Sequence, residues 1–179
     1  MKINGIFEKI NGRLFAAHFD NSDVDELDKA FDSWREVSLV YDFFTTYRSD
    51  LMKLDPTMKV KTVPYLIVKE SKVMFDILID ASINGRLSGL FKPLDNREER
   101  HLRYDFQMFK AKGPSRKSML RLYAVKFMDA YVISGGAIKV TEKMSRPHLK
   151  TELYKLELLQ RYLQADGIEG SFVYLDIDL

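Results

Sequence analysis

The chain has 179 residues, 46% of them hydrophobic and 30% charged, which is enough for one well-packed core and too apolar for a disordered chain. It has no cysteine, which excludes disulfides, thiolate metal sites and a cysteine nucleophile, and its three scattered histidines, His18, His101 and His148, argue against a histidine-rich zinc site. Net charge is only +2, but residues 1–58 carry 7 basic and 11 acidic side chains, residues 59–128 carry 15 and 7, and residues 129–179 carry 6 and 8, so the middle (+8) is the candidate surface for a polyanion.

In chain order, Asn11-Gly12 reads as a turn into a first strand over residues 13–19, where His18, alone among apolar neighbours, reads as a structural residue. Residues 21–54 carry a helical stripe of Val24, Leu27, Phe31, Trp34, Val37, Tyr41 and Phe44, opened by Ser22 with Asp25 three positions on. The acids crowding its start (Asp20, Asp23, Asp25, Glu26, Asp28) suit the positive end of a helix dipole, and they lack the glycine and glutamate spacing of a calcium loop. Asp55-Pro56 breaks this helix; a second follows Val63-Pro64 and stops at Asn84-Gly85.

The character then changes. Leu102, Tyr104, Phe106 and Met108 alternate with polar residues, which predicts a half-buried strand over residues 101–109. Residues 111–118 read as a loop bounded by Gly113 and Pro114 and, with Lys110, carrying Lys112, Arg116 and Lys117, side chains suited to clamping a backbone phosphate or simply to a solvated turn. Residues 119–127 and 130–141 predict a strand pair joined by a short Met-Asp-Ala turn, the second strand bent at Gly135-Gly136. Ser145 and Pro147 open a helix to about residue 165, stopped by Gly167, and residues 171–179 alternate like an edge strand. The expected fold is thus α+β: one domain spanning residues 1–179, with a helical N-terminal part (21–84) and an antiparallel sheet of about four strands flanked by helices. No run of about 18 apolar residues and no basic-apolar leader is present, so the expectation is a cytoplasmic chain with no membrane partner.

The order of residues over about 86–165 resembles the C-terminal half of the RelE/HigB toxins, bacterial mRNA interferases of the RelE/ParE superfamily. The likeness rests on LFKPLDN (90–96), the alternating strand HLRYDFQM, the strand arginine of RLYAV (Arg121), the segment GGAIKVTEK, a proline and an amphipathic helix. It implies a toxin of a toxin-antitoxin pair, a ribosome-dependent endoribonuclease that cuts mRNA and is masked by a cognate antitoxin protein. It also implies metal-independent, cofactor-free chemistry, in which the 2′-hydroxyl attacks the adjacent phosphate with help from a base, an acid and cations. Arg121, Lys139 and Lys143 match the family's strand arginine and C-terminal lysines; His148 and Tyr123 are the proton-transfer candidates, and Arg103, Lys110, Lys112, Arg116 and Lys117 the RNA-binding ones. His148, just after Pro147, reads more readily as a structural residue at a helix start, while Arg121 and Lys139 read equally as exposed side chains at a sheet edge. The competing expectation is a non-catalytic binding module with a basic face, either a degenerate toxin relative or a mobile-element accessory protein, because fold does not decide activity.

Overall fold

A computed structural model describes residues 1–10, 12–20, 22–94, 107–115 and 117–166. The chain begins with a hairpin: β1 (Ile3–Ile10) and β2 (Leu14–Phe19) pair antiparallel around a turn in which Gly12 takes φ +65° and the Arg13 amide donates to the Ile10 carbonyl at 2.9 Å. β1 was not expected from the sequence. It lies at the sheet edge with only Ile6 buried, so its residues carry no clean period-two signal.

The expected long N-terminal helix is three helices: α1 (Glu26–Arg35), α2 (Val37–Thr46) and α3 (Arg48–Leu54). Asp25, not Ser22, caps α1, accepting hydrogen bonds from the Leu27 and Asp28 amides, and Glu36 ends α1 while capping α2 through Ser38. α4 (Val63–Ile83) stops where expected: Gly85 turns left-handed at φ +67°, the Arg86 amide reaches back to the Ala81 carbonyl at 2.7 Å, and the Arg13 guanidinium covers the carbonyls of Ser82 and Ile83. A single turn, α5 (Leu87–Leu90), leads into β3 (Phe91–Pro93), β4 (Met108–Lys112), β5 (Leu120–Phe127), β6 (Ala130–Ile138) and α6 (Pro147–Asp166).

The α+β class holds, with a larger sheet than expected: six strands in the order β1-β2-β6-β5-β4-β3, antiparallel except where β2 runs parallel to β6. Of the strand expected at 101–109, residues 101–106 lie outside the described residues, and the strand that is seen continues to Lys112. The basic loop is therefore corrected: Lys110 and Lys112 sit on β4, held by pairing with Tyr123 and Arg121 of β5. The β5-β6 turn is tight, with Met128 at φ 52°. The tail strand expected at 171–179 also falls outside the described residues.

The sheet separates two cores. Leu14, Ala16, Leu122, Ala124 and Ile133 face α1 to α5 and pack on Leu27, Phe31, Trp34, Phe44, Ile67, Met74 and Leu78. Phe15, Ala17, Tyr123, Val125 and Val132 face α6 and its Leu149, Leu156, Leu159 and Leu163. Burying each of the leucine, isoleucine, valine, phenylalanine and methionine side chains is worth roughly 1.5–3 kcal/mol relative to exposure. Ser134 is an extra residue in β6, since Ala124 pairs with Ile133 and Tyr123 with Gly135, so alternation flips there and Gly135 and Gly136 meet opposite layers. A Cβ on Gly135 would fall 1.9 Å from Glu152 Oε2 on α6, and one on Gly136 would fall 2.8 Å from both Ala30 and Trp34 on α1. The two glycines let both helix layers lie directly on β6.

Candidate nucleic-acid interface

Alternation along β4 and β5 sends Phe109, Ala111, Leu120 and Leu122 to the five-helix layer and Lys110, Lys112 and Arg121 to the opposite face. α6 covers that opposite face over β6 and the neighbouring part of β5 only. Among the described residues, what remains open is a groove of about 690 Å³ floored by Lys92, Lys110, Lys112, Arg121, Tyr123 and Lys139, with Leu90 and Leu94 at the β3 edge and Met144 and Leu153 on the α6 side. Glu142 is the one carboxylate among the described residues that line it. An adjoining recess of about 360 Å³ shares Lys112, Arg121 and Lys139 with the groove and adds Lys117 and Asp55.

Four residues from distant parts of the expected site thus meet: Lys110, Lys112, Arg121 and Lys139. Arg121 is half-buried, and its Nη1 donates to the carbonyls of Ser118 (2.8 Å) and Leu120 (2.7 Å), which fixes the guanidinium on the strand. Lys139 Nζ donates to the carbonyls of Thr141 (2.7 Å) and Glu142 (2.5 Å), and Lys110 Nζ to that of Leu94 (3.1 Å). Burial lowers the Lys139 ammonium below the usual lysine range, and the nearby charges of Arg121 and Lys110 push the same way. Burial also lowers Arg121. Tyr123 is fully buried with its hydroxyl donating to Met144 Sδ at 3.4 Å, and burial, followed by the neighbouring Glu152 charge, pushes its ionisation far up.

The other candidates lie elsewhere. Lys143 is exposed in the turn before α6 and does not line the groove; its carbonyl accepts from the Thr141 hydroxyl. Lys117 is spoken for by Asp55 at 2.9 Å, an aspartate held at about 2 by the Thr57 hydroxyl first and then by Lys117. His148 sits in a separate recess lined by Trp34, Val40, Phe43 and Glu152, with Nδ1 3.1 Å from the Tyr47 hydroxyl and Nε2 3.1 Å from the Ile138 carbonyl. A carbonyl accepts only, so Nε2 carries the proton and Nδ1 accepts from Tyr47; burial lowers the imidazole pKa, consistent with this neutral form. Arg103 and Arg116 lie outside the described residues. Lys92 was missed: its segment read as a loop, and only its pairing with Lys110 across β3 and β4 places it on the basic face.

His18 is half-buried on β2, edge-on to Phe7, as expected of a structural histidine. Among the described residues no group of three or more histidine, aspartate or glutamate side chains could hold a metal ion, and no helix is long and apolar enough to cross a membrane.

Comparison with known proteins is silent. No family model matches the chain, and neither the curated proteins nor the solved structures contain a match.

Proposed function

We propose that the open basic face of the sheet binds single-stranded RNA through its phosphates, and that the chain acts in the cytoplasm as a RelE/HigB-like toxin that cleaves mRNA on the ribosome until a cognate antitoxin masks the groove. The observation that carries the binding step is the convergence of five cations, from three adjacent strands and the residue that follows β6, on a face that the described residues leave open. Charge-assisted hydrogen bonds from arginine and lysine suit phosphate oxygens, and rigid strands place them reproducibly. The cleavage step comes from the resemblance of residues 86–165 to the toxins. In that reading Arg121 and Lys139 stabilise the charge developing on the phosphate, and His148, in its own recess, lies away from them.

One observation favours the non-catalytic binding module instead: the Tyr123 hydroxyl is bonded to Met144 and the His148 nitrogens to Tyr47 and Ile138, so neither of the two expected proton carriers serves the groove. Inducing the protein alone in bacterial cells, with growth and transcript integrity followed over time, separates the readings. Growth arrest with cleaved transcripts, lost in Arg121→Ala and Lys139→Ala and partly kept in Arg121→Lys, supports the toxin; each alanine variant should cost on the order of 10²–10³ in rate, by analogy with deletion of a preorganised charge stabiliser. Normal growth with intact messenger RNA leaves the binding module.

A further inference from the structure

We propose that the cations of the open face form a diagonal staircase of three phosphate subsites, Lys92 with Lys110, Lys112 with Arg121, and then Lys139, which takes three consecutive phosphates of one RNA strand. This rests on the reading of the face as a phosphate-binding surface and adds its path, its length and a residue, Lys92, at its far end.

The strand register gives the geometry. Lys92 lies directly opposite Lys110 across β3 and β4, and Lys112 directly opposite Arg121 across β4 and β5. Arg121 pairs with Ala137, and Lys139, two residues further on, donates its amide to the Met119 carbonyl at 2.7 Å, one more step in the same direction. Each step moves two residues along a strand, about 6.8 Å, and one strand or more across, about 4.8 Å each, a backbone diagonal of about 8 Å or more that the long lysine and arginine side chains shorten toward the spacing of neighbouring phosphates. Leu90 and Leu94 border this diagonal at the β3 edge and Met144 and Leu153 at the α6 side, apolar surfaces against which ribose and base faces can lie.

The two in-register pairs carry like charges on both strands. Such pairs, with Cβ atoms about 5 Å apart, cost a sheet stability wherever an opposite charge does not lie between them. An anion seated between the members of each pair turns that repulsion into two attractions. The same tension is felt at the third step, where Arg121 and Lys110 both act against the Lys139 ammonium. The in-register placement brings two cations to each of the first two steps, which suits a run of phosphates.

The test uses the full chain and fluorescent oligouridylates from dinucleotide to octanucleotide, with wild type and Lys92→Gln compared across a salt series. Lys92 is exposed on an edge strand, so the substitution leaves the fold intact. Wild-type affinity should climb until three phosphates are covered and then level off. Lys92→Gln should weaken binding roughly two- to fivefold, as loss of one exposed ion pair does, and should shallow the salt slope by about 0.7. It should also raise the melting midpoint of the free protein by relieving the pair with Lys110, an effect opposite in sign to that of removing a structural contact. If Lys92→Gln binds with wild-type affinity and slope while wild type binds well, or if affinity rises evenly to the octanucleotide, the staircase is wrong and the basic-face reading survives. If no oligomer binds, both fall together.

Discussion

Single residues show how burial divides charge between structure and site. Lys155 of α6 donates to Glu26 of α1 at 2.6 Å and to Glu152 at 2.8 Å, while Glu152 Oε2, set against Gly135, has no hydrogen-bond partner. Burial pushes the Glu152 carboxyl up to about 7 against the opposing pull of Lys155, with Glu26 raising and Lys29 lowering it further. Because the folded value lies above the ordinary carboxylate value, the folded chain keeps a proton that the unfolded chain gives up. That contribution is complete below the ordinary carboxylate range and is lost as pH rises through about 7. The melting midpoint should therefore fall between pH 5 and pH 8 more steeply in wild type than in Glu152→Gln; parallel curves would show that Glu152 is not protonated in the fold. Removing the shared cation, as in Lys155→Met, strands two buried acids and should cost about 3–5 kcal/mol, measurable by denaturant unfolding. His148→Ala should lose about 1–3 kcal/mol, the cost of leaving buried polar partners unpaired, while leaving RNA affinity unchanged. A loss of affinity on the same scale as that of a groove lysine would return His148 to the site. Of these residues the sequence made His148 visible but not its role, because its partners Tyr47 and Ile138 come from other elements; the trio of Glu26, Glu152 and Lys155 was invisible, since two sheet faces had to meet at Gly135 for it to form.

Elements with a clean period were legible, and those whose pattern was broken were not. β5, α4 and α6 follow their alternation or helical spacing, the two helices opening at Pro64 and Pro147 and α4 stopping at Gly85. β3 is three residues long at the edge, and β4 ends in Lys110-Ala111-Lys112, where charge and the nearby glycine and proline imitate a loop; only hydrogen bonding to β5 makes it a strand. The groove is a product of that difference, because on a loop Lys110 and Lys112 would have no fixed relation to Arg121. At β6 the Gly135-Gly136 bend was legible, while its purpose required the helix layers. Gly136→Ala drives a methyl into the Trp34 ring and Ala30 of α1, both packed in the core, and should destabilise by about 1–3 kcal/mol, as overpacking does. If denaturant unfolding shows no loss, α1 does not rest on β6 as closely as described.

Over the whole molecule, the +8 of residues 59–128 is not concentrated in one place: part of it lies on exposed lysines of α4 and part on the open face of the sheet. Charge that merely raises the local concentration of a polyanion acts wherever it sits, whereas a binding face acts only through its own cations. This distinction gives the most direct measurement, the affinity for a single-stranded RNA as a function of salt in wild type, in Lys110→Glu with Lys112→Glu, and in Lys69→Glu with Lys72→Glu. Both variants change net charge equally, but the first pair lies in the groove and the second on the outer side of α4, where both lysines are exposed. The account predicts that the groove variant loses most of its affinity and about 1.4 from its salt slope, two phosphate contacts at about 0.7 each, while the α4 variant binds nearly as wild type. Equal losses in the two variants, or no loss in either, would contradict it.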